Sequence, residues 1–434
     1  MSWSNPRRPI FRAILALAGV LLVAGCVFRQ VREQQERIAA FARIQGEVRL
    51  EPPGPGTLVV FLVQSGPAGS QLVDHFALDE PGRFDFVAAP GTYAVGAFHD
   101  ANRNLVYEPG EPLLTARSFG WRELAAGGRL TGISLVVPRQ GGDRLDAAVD
   151  LTAVQAQTPS AHLGASLGRL TVEGAIASPD DARFDLAIGN KGMWRPLDFV
   201  FDDGPGIYFQ GPYDPKRLPV LFVHGMQGTP RNFSTLAKSI DATRQQAWFF
   251  FYPSGAALER IGDHLLETMR SLRLRLGFQD VALVCHSMGG LVCRSFMLAR
   301  QRSGGERLVR LFITIGTPYG GNAGAAEGAK HAPAAVRSWI DLDPSGAFLR
   351  GLFYTGDGDR QRLPREIPFH LVFGYLRGSM PGQSSDGVIP LGSSLRLEAQ
   401  EEAVSVRGFD ADHVGLLHDP TVVRHVTSLI TKGG

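Results

Sequence analysis

A serine at a sharp chain reversal can become a nucleophile, and this sequence has one at Ser287. The segment Val281-Ala-Leu-Val-Cys-His-Ser-Met-Gly-Gly-Leu-Val292 joins an apolar run to a helical one through Gly289-Gly290. Val281 to Val284 reads as a short buried strand and Leu291 to Arg300 as a helix. Ser287 is then the apex of a strand–turn–helix elbow, a turn that lifts the hydroxyl clear of the sheet. The next N–H, of Met288, then faces any oxyanion forming beside the serine. The usual spacing is G-x-S-x-G. Here Cys285 replaces the first glycine, at a position that must stay small because strand and helix nearly touch. The competing reading is an ordinary strand–helix turn with a capping serine.

A serine hydroxyl is a weak nucleophile until a base takes its proton and an acid fixes the tautomer of that base. Both residue types follow: Asp386 in Ser385-Asp386-Gly387-Val388-Ile389-Pro390, and His413 in Asp412-His413-Val414-Gly415-Leu416-Leu417. Each lies after a predicted late strand. His418 competes as base, and Asp341 and Asp343 as acid. His286 points along its strand, away from the serine hydroxyl, and Asp412 is too close to His413 to reach its ring. His264, His331 and His370 have no evident pairing and read as solvated or core histidines.

The elements around these residues alternate strand and helix. Pro219 to Val223 reads as a buried strand that ends in His224-Gly225-Met226-Gln227-Gly228-Thr229-Pro230. Ala247 to Tyr252 is a second strand. Leu258, Ile261, Leu265, Met269, Leu272 and Leu276 form one helical face. Leu311 to Ile315, Ile367 to Phe373 and Ala403 to Val406 are further strands. This α/β alternation implies a mostly parallel sheet with helices on both faces. Active residues then lie beyond the carboxyl ends of the strands. Leu170–Ile176, Phe184–Ile188, Asp198–Phe201 and Ile207–Gln210 are expected as strands forming an antiparallel entry to that sheet. Between Gly320 and Pro364 a Gly- and Ala-rich insertion carries Trp339, Phe348, Leu352 and Phe353, which either line an acyl pocket or pack on the core.

Val-His-Gly, His-Ser-Met-Gly-Gly, Gly-Thr-Pro-x-Gly-Gly, Ser-Asp-Gly-x-x-Pro and Asp-His-x-x-Leu occur in that order between Pro219 and Leu417. Together they resemble the lipase-like α/β-hydrolases, including the deacylases related to the GPI inositol-deacylase family, over nearly half the chain. The resemblance implies an α/β-hydrolase fold. Ser287 is then the nucleophile, His413 the base and later the acid, and Asp386 the group that orients His413. Met226 and Met288 N–H form the oxyanion hole, and His224-Gly225 shapes its loop. It also implies a cap formed by the insertion.

The rest of the chain is of another kind. Arg7-Arg8, the apolar run Ala13 to Ala24 and Gly25-Cys26 form a signal peptide. Leu22-Val23-Ala24-Gly25-Cys26 resembles a bacterial lipobox, which implies lipidation at Cys26; Val27 after it points to the outer membrane. An uncleaved anchor helix is the alternative. Residues 27–45 carry apolar residues at helical spacing and are expected as a helical stalk. Residues 46–150 carry short strands, such as Arg83-Phe-Asp-Phe-Val87 and Thr92 to Phe98, between Pro-Gly turns, and are expected as an all-β sandwich. They look like the transthyretin-like or carboxypeptidase-regulatory-like modules, with an unassigned partner. Asp100, Asn102, Asn104, Glu108 and Glu111 have the oxygen spacing of a calcium loop, but Leu105 stands where its glycine belongs; the other reading is a self-bonded polar turn. No other metal and no cofactor is expected. Residues 151–168 read as a linker and 169–434 as the catalytic domain. A net charge of +2 gives no nucleic-acid stripe.

These features predict a membrane-tethered serine hydrolase acting on carboxylic, hydrophobic acyl esters in the bacterial cell envelope. The alternatives are an acyltransferase using the same three residues and a non-catalytic binding lipoprotein with a vestigial hydrolase domain.

Overall fold

The computed structural model describes residues 27–433 except 55, 68, 152–165, 304–306 and 377–383. The predicted signal peptide with its lipobox-like cysteine, Cys26, and most of the predicted linker lie outside the described residues. Among the described residues no helix is long and apolar enough to cross a membrane.

The helix expected as a stalk is helical over residues 27–39 but folds back onto the body of the protein. Val31 and Gln34 are buried. Gln34 Oε1 accepts the N–H groups of Leu197 and Asp198, in the first turn of helix Pro196–Asp202, whose leading amides have no partner within the helix. Arg37 pairs with Asp198, and Gln35 donates to Ala335 O at 2.7 Å. The helix thus buries Val31 and Gln34 against the second domain, and a strand begins three residues after its end, at Ala42–Glu51.

Residues 42–150 form a sandwich. One sheet orders strands Gly82–Ala88, Ala42–Glu51 and Arg129–Pro138; the other orders Gly69–Leu78, Leu58–Gly66, Gly91–His99 and Leu113–Leu114. The period-two run at Arg83–Val87 turns Phe84 and Phe86 inward. In the candidate calcium loop, the side chains turn onto their own neighbours. Asp100 accepts the N–H groups of Asn104 and Leu105, and Glu111 those of Ala101 and Glu108. The Asn102 and Asn104 amides both donate to Glu108. The loop is a self-bonded turn, and among the described residues no group of three His, Cys, Asp or Glu side chains converges to hold a metal ion.

The second domain is built on an 8-stranded sheet. Its order is Val172–Ile176, Gly206–Phe209, Gln245–Phe251, Leu218–Val223, Val281–His286, Val309–Ile315, Phe369–Tyr375 and Ser405–Asp410. From Gln245–Phe251 to the last strand all neighbours are parallel. Alternate side chains of the elbow strand feed two cores: Val281, Leu283 and Cys285 face helices Leu258–Leu276 and Met288–Arg302, while Ala282 and Val284 face helix Pro420–Gly433. The expected antiparallel entry is shorter than the sequence suggests. Phe184–Ile188 falls in a turn and in helix Leu186–Trp194, which Asp185 caps by accepting the Ala187 N–H. Asp198–Phe201 lies in helix Pro196–Asp202, started by Pro196. Two expected strands remain: Val172–Ile176 pairs parallel with Gly206–Phe209, which pairs antiparallel with Gln245–Phe251.

The two domains are bolted together by Asp79, in the turn between strands Gly69–Leu78 and Gly82–Ala88, which belong to different sheets. Its carboxylate takes both Arg300 nitrogens at 2.8 and 2.7 Å and lies 3.3 Å from Arg270. Burial pushes its pKa up, but the two guanidinium groups outweigh this and hold it below the ordinary carboxylate value. Removing one partner of a pair this buried costs about 3 kcal/mol. Asp79→Asn should therefore lower the urea midpoint at pH 7. The depressed pKa means that the stabilisation is complete above the unfolded value of about 3.9 and is lost as pH falls through the folded value. The gap between the variant and the wild type should then close below pH 4. A gap that is the same at pH 7 and pH 3 would show that the ion pair contributes nothing.

Candidate active site

The elbow strand is buried throughout and delivers Ser287 at the carboxyl edge of the sheet. Ser287 has φ 53° and ψ −129°, a conformation that costs a non-glycine residue of order 1–3 kcal/mol and survives only where the surroundings impose it. Here they do. The Ser287 N–H donates to Ile315 O at 2.8 Å, and Thr317 Oγ1 donates to Ser287 O at 2.9 Å. Behind the serine, a Cβ on Gly289 would sit 2.4 Å from Val223 O, so the helix start can touch the neighbouring strand only with glycine there. Cys285, in the other small position, is fully buried, and its sulfur faces that of Cys293 at 2.6 Å. The Ser287 hydroxyl itself makes no protein hydrogen bond among the described residues.

Two N–H groups are available beside it. Gly225 passes so close that a Cβ there would lie 2.7 Å from the Ser287 Cβ. The following N–H, of Met226, and that of Met288 at the first position of its helix have no backbone acceptor among the described residues. The loop that carries Met226 is held by His224 and Ser254. His224 stacks on Tyr252 at 4.1 Å. Its Nε2 accepts the Tyr252 N–H, so Nδ1 carries the proton and donates to Gly225 O at 2.8 Å. Burial lowers the His224 pKa to about 4, which keeps the ring neutral and this tautomer fixed. Ser254 Oγ accepts the Gln227 N–H at 3.0 Å, holding Gln227 at φ 55°.

Asp386 and His413 meet at the far side of the same edge. The His413 Nδ1–H donates to Asp386 Oδ2 at 2.7 Å, and the His413 N–H donates to Asp386 O at 2.9 Å. Asp386 Oδ1 accepts the N–H groups of Val388 and Ile389. Burial pushes the Asp386 carboxyl up, but the bond from His413 and these two amides hold it below its ordinary value. It is therefore an anion at neutral pH, 1% exposed. The His413 ring lies against Gly316, where a Cβ would be 3.2 Å from Nδ1. Gly316 is the residue between Ile315 and Thr317, the two groups that hold Ser287.

Sequence reasoning missed His286. Its ring packs 4.7 Å from that of His413, and its Nε2–H donates to His413 O at 2.9 Å. Burial and the neighbouring His413 lower its pKa to about 3, so it stays a neutral donor that positions His413. The competitors lie elsewhere. His418 is exposed and bonded to Thr235. Asp341 Oδ2 accepts the Leu258 N–H at the start of the long helix, and Asp343 closes a turn through Ser345. Asp412 accepts the N–H groups of Val414 and Gly415. His331 is exposed beside Glu327, and His370 is bonded to Ser405. In the insertion, Leu352 and Phe353 belong to the core, Phe353 lying between the guanidiniums of Arg294 and Arg396 at 4.1 and 4.4 Å. Phe348 packs against the same core, whereas Trp339 stands edge-to-face against Trp194.

A mostly parallel sheet with helices on both faces and a strained serine at a strand–helix elbow give the second domain an α/β-hydrolase fold. Residues 214–329 match the family model described as the PGAP1-like alpha/beta domain. No curated protein matches the sequence. Among solved structures, the chain is similar to the lin2722 gene product of Listeria innocua, with 18% identity over 50% of this chain and 94% of that one and a TM-score of 0.36. Lipase BlEst2 of Bacillus licheniformis, in its mature form, is 18% identical over 52% of this chain and 97% of that one, with a TM-score of 0.40. Carboxylesterase CesB of Bacillus subtilis is 17% identical over 52% and 88%, with a TM-score of 0.30.

Proposed function

We propose that the protein is a membrane-tethered serine hydrolase that cleaves carboxylic esters of hydrophobic acyl groups through an acyl-enzyme. The observation that supports this most directly is the His413–Asp386 hydrogen bond beside a strained, unengaged serine hydroxyl. In this reading Ser287 Oγ attacks the ester carbonyl carbon while His413 Nε2 takes its proton. The carbonyl oxygen becomes an oxyanion that accepts from the Met226 and Met288 N–H groups; loss of one such donor costs about 3 kcal/mol in the barrier. The tetrahedral species collapses, His413 gives the proton to the leaving alcohol, and water activated by the same imidazole releases the acid. No cofactor enters any step. The test is labelling by a fluorophosphonate: the protein should take the label, and Ser287→Ala and His413→Ala should not. A folded wild-type protein that stays unlabelled, with or without detergent, would overturn the reading.

The tether in this proposal is a lipid on Cys26, in the cell envelope and at the outer membrane. Support comes from the lipobox-like sequence. Cys26→Ala should move the protein from the membrane fraction and abolish incorporation of radiolabelled palmitate. Retention of the label in that variant would exclude Cys26 as the anchor.

A further inference from the structure

Between the N-terminal helix, the sandwich and the catalytic domain lies a cavity of about 790 Å³, separate from the Ser287 site. Its size falls in the range of about 300–1,000 Å³ typical of small-molecule sites. One part of the wall is apolar: Val31 and Ile38 from the N-terminal helix, Leu197 and Val200 from helix Pro196–Asp202, and Trp194 beside them. Ile38 and Ile340, also in the wall, are 40% and 39% exposed, large apolar side chains left facing outward.

The other part is acidic. Asp263 and Glu267 stand one turn apart on helix Leu258–Leu276 and both line the cavity. Like charges at this spacing repel. The neighbouring carboxylates are engaged: Asp85 by Gln45 and Arg260, Glu173 by Ser271 and Arg275, and Asp74 by the His75 N–H. Asp263 has only Arg260, at 4.0 Å, and Glu267 has no hydrogen bond or ion pair among the described residues. Arg302 and Arg43 act on Asp263 and Arg270 acts on Glu267, each favouring the charged carboxylate, but less than burial and the other carboxylates oppose it. Arg43 and Arg260 are turned to Asp85, Arg337 comes from the insertion, and His75 is the remaining imidazole beside His264. Burial lowers the His264 pKa to about 4, so that ring is neutral. Burial, reinforced by Asp263, Asp85 and Asp74, pushes the Glu267 carboxyl well above its ordinary value, and burial with Glu259 pushes Asp263 up to about 6.

An apolar wall that ends at two carboxyls, one with no ion pair among the described residues and the other with only a 4.0 Å contact to Arg260, has a defined complement. We propose that this cavity binds a single-chain amphiphile with a cationic nitrogen head group, its alkyl chain along Val31, Ile38, Leu197 and Val200 and its head between Asp263 and Glu267. The site is independent of the ester-hydrolase reading, because Ser287, Met226, Met288, Asp386 and His413 do not line it and its occupant need not react.

Calorimetric titration of the whole protein with decyltrimethylammonium, decyl maltoside and decyl sulfate, each below its micellar concentration, tests this. The ammonium should bind at least tenfold more tightly than the sulfate. Binding a cation draws the acid pair into its charged form, so affinity for the ammonium should rise from pH 5 to pH 8. The isosteric pair Asp263→Asn with Glu267→Gln should remove the preference while leaving the melting temperature unchanged or raised, since repulsion is relieved. Val200→Trp should weaken all three probes. Equal binding of the three head groups, a preference that survives the Asn/Gln variant, or no binding by the folded protein would each overturn the proposal. Ser287→Ala should bind as the wild type does, so a failure of the hydrolase reading leaves this result legible.

Discussion

Ser287→Ala is expected to lower ester turnover by about 10⁵- to 10⁶-fold, and adding His413→Ala should make it little worse. The reason is that the two groups act in one event. Without the hydroxyl there is nothing for the imidazole to deprotonate, and without the imidazole the hydroxyl keeps its proton. What remains in either variant is binding and the two backbone N–H donors of Met226 and Met288. The serine is held by backbone bonds to Ile315 and Thr317 rather than by its hydroxyl, so the alanine variant should retain the elbow and the fold. Hydrolysis of p-nitrophenyl butyrate by the two single variants and the double variant measures this. Independent, multiplying losses would mean that the residues do not share a step. Wild-type turnover in Ser287→Ala would remove the serine from the mechanism and favour a binding role for the domain.

The parts of this arrangement that show in the sequence are those set by local chemistry. The apolar run Val281 to Val284 and the Gly289-Gly290 pair announce the elbow, because burial and close approach restrict those positions to few residue types. Asp386 and His413 stand out by type and by position after late strands. His286 did not, since its bond to His413 O joins residues 127 apart and depends on how the last strand docks. Short apolar runs such as Phe184–Ile188 lack the length to separate strand from helix. There the capping carboxylate of Asp185 decides for a helix. The apolar spacing over residues 27–45 reads as one helix, but the helix spans residues 27–39 and a strand begins at Ala42, and the spacing does not show its partner: the surface that Val31 and Gln34 cover is assembled from segments far along the chain. Phe353 suits a pocket lining or a core equally by its aromatic type; Arg294, 0% exposed and paired with Glu402 at 2.9 Å, fixes it in the core.

Asp386→Asn should cost about 10⁴-fold in kcat while leaving KM and the melting temperature nearly unchanged. The two carboxylate oxygens have separate tasks. Oδ1 receives the Val388 and Ile389 N–H groups and shapes the turn, and Oδ2 receives the His413 Nδ1–H. An asparagine can keep the first task only by leaving its oxygen toward those amides. Its NH₂ group then points at His413 Nδ1, which must accept rather than donate. The imidazole proton is forced onto Nε2, the atom that has to take the proton of Ser287, so the base is blocked although the backbone bond from His413 N–H to Asp386 O persists. Asp386→Ala differs in kind: it leaves the turn amides without their acceptor and should lower stability as well as rate. Circular dichroism melting beside steady-state kinetics separates the two. An asparagine variant that keeps more than a tenth of the wild-type rate would show that the tautomer of His413 is fixed by something other than Asp386.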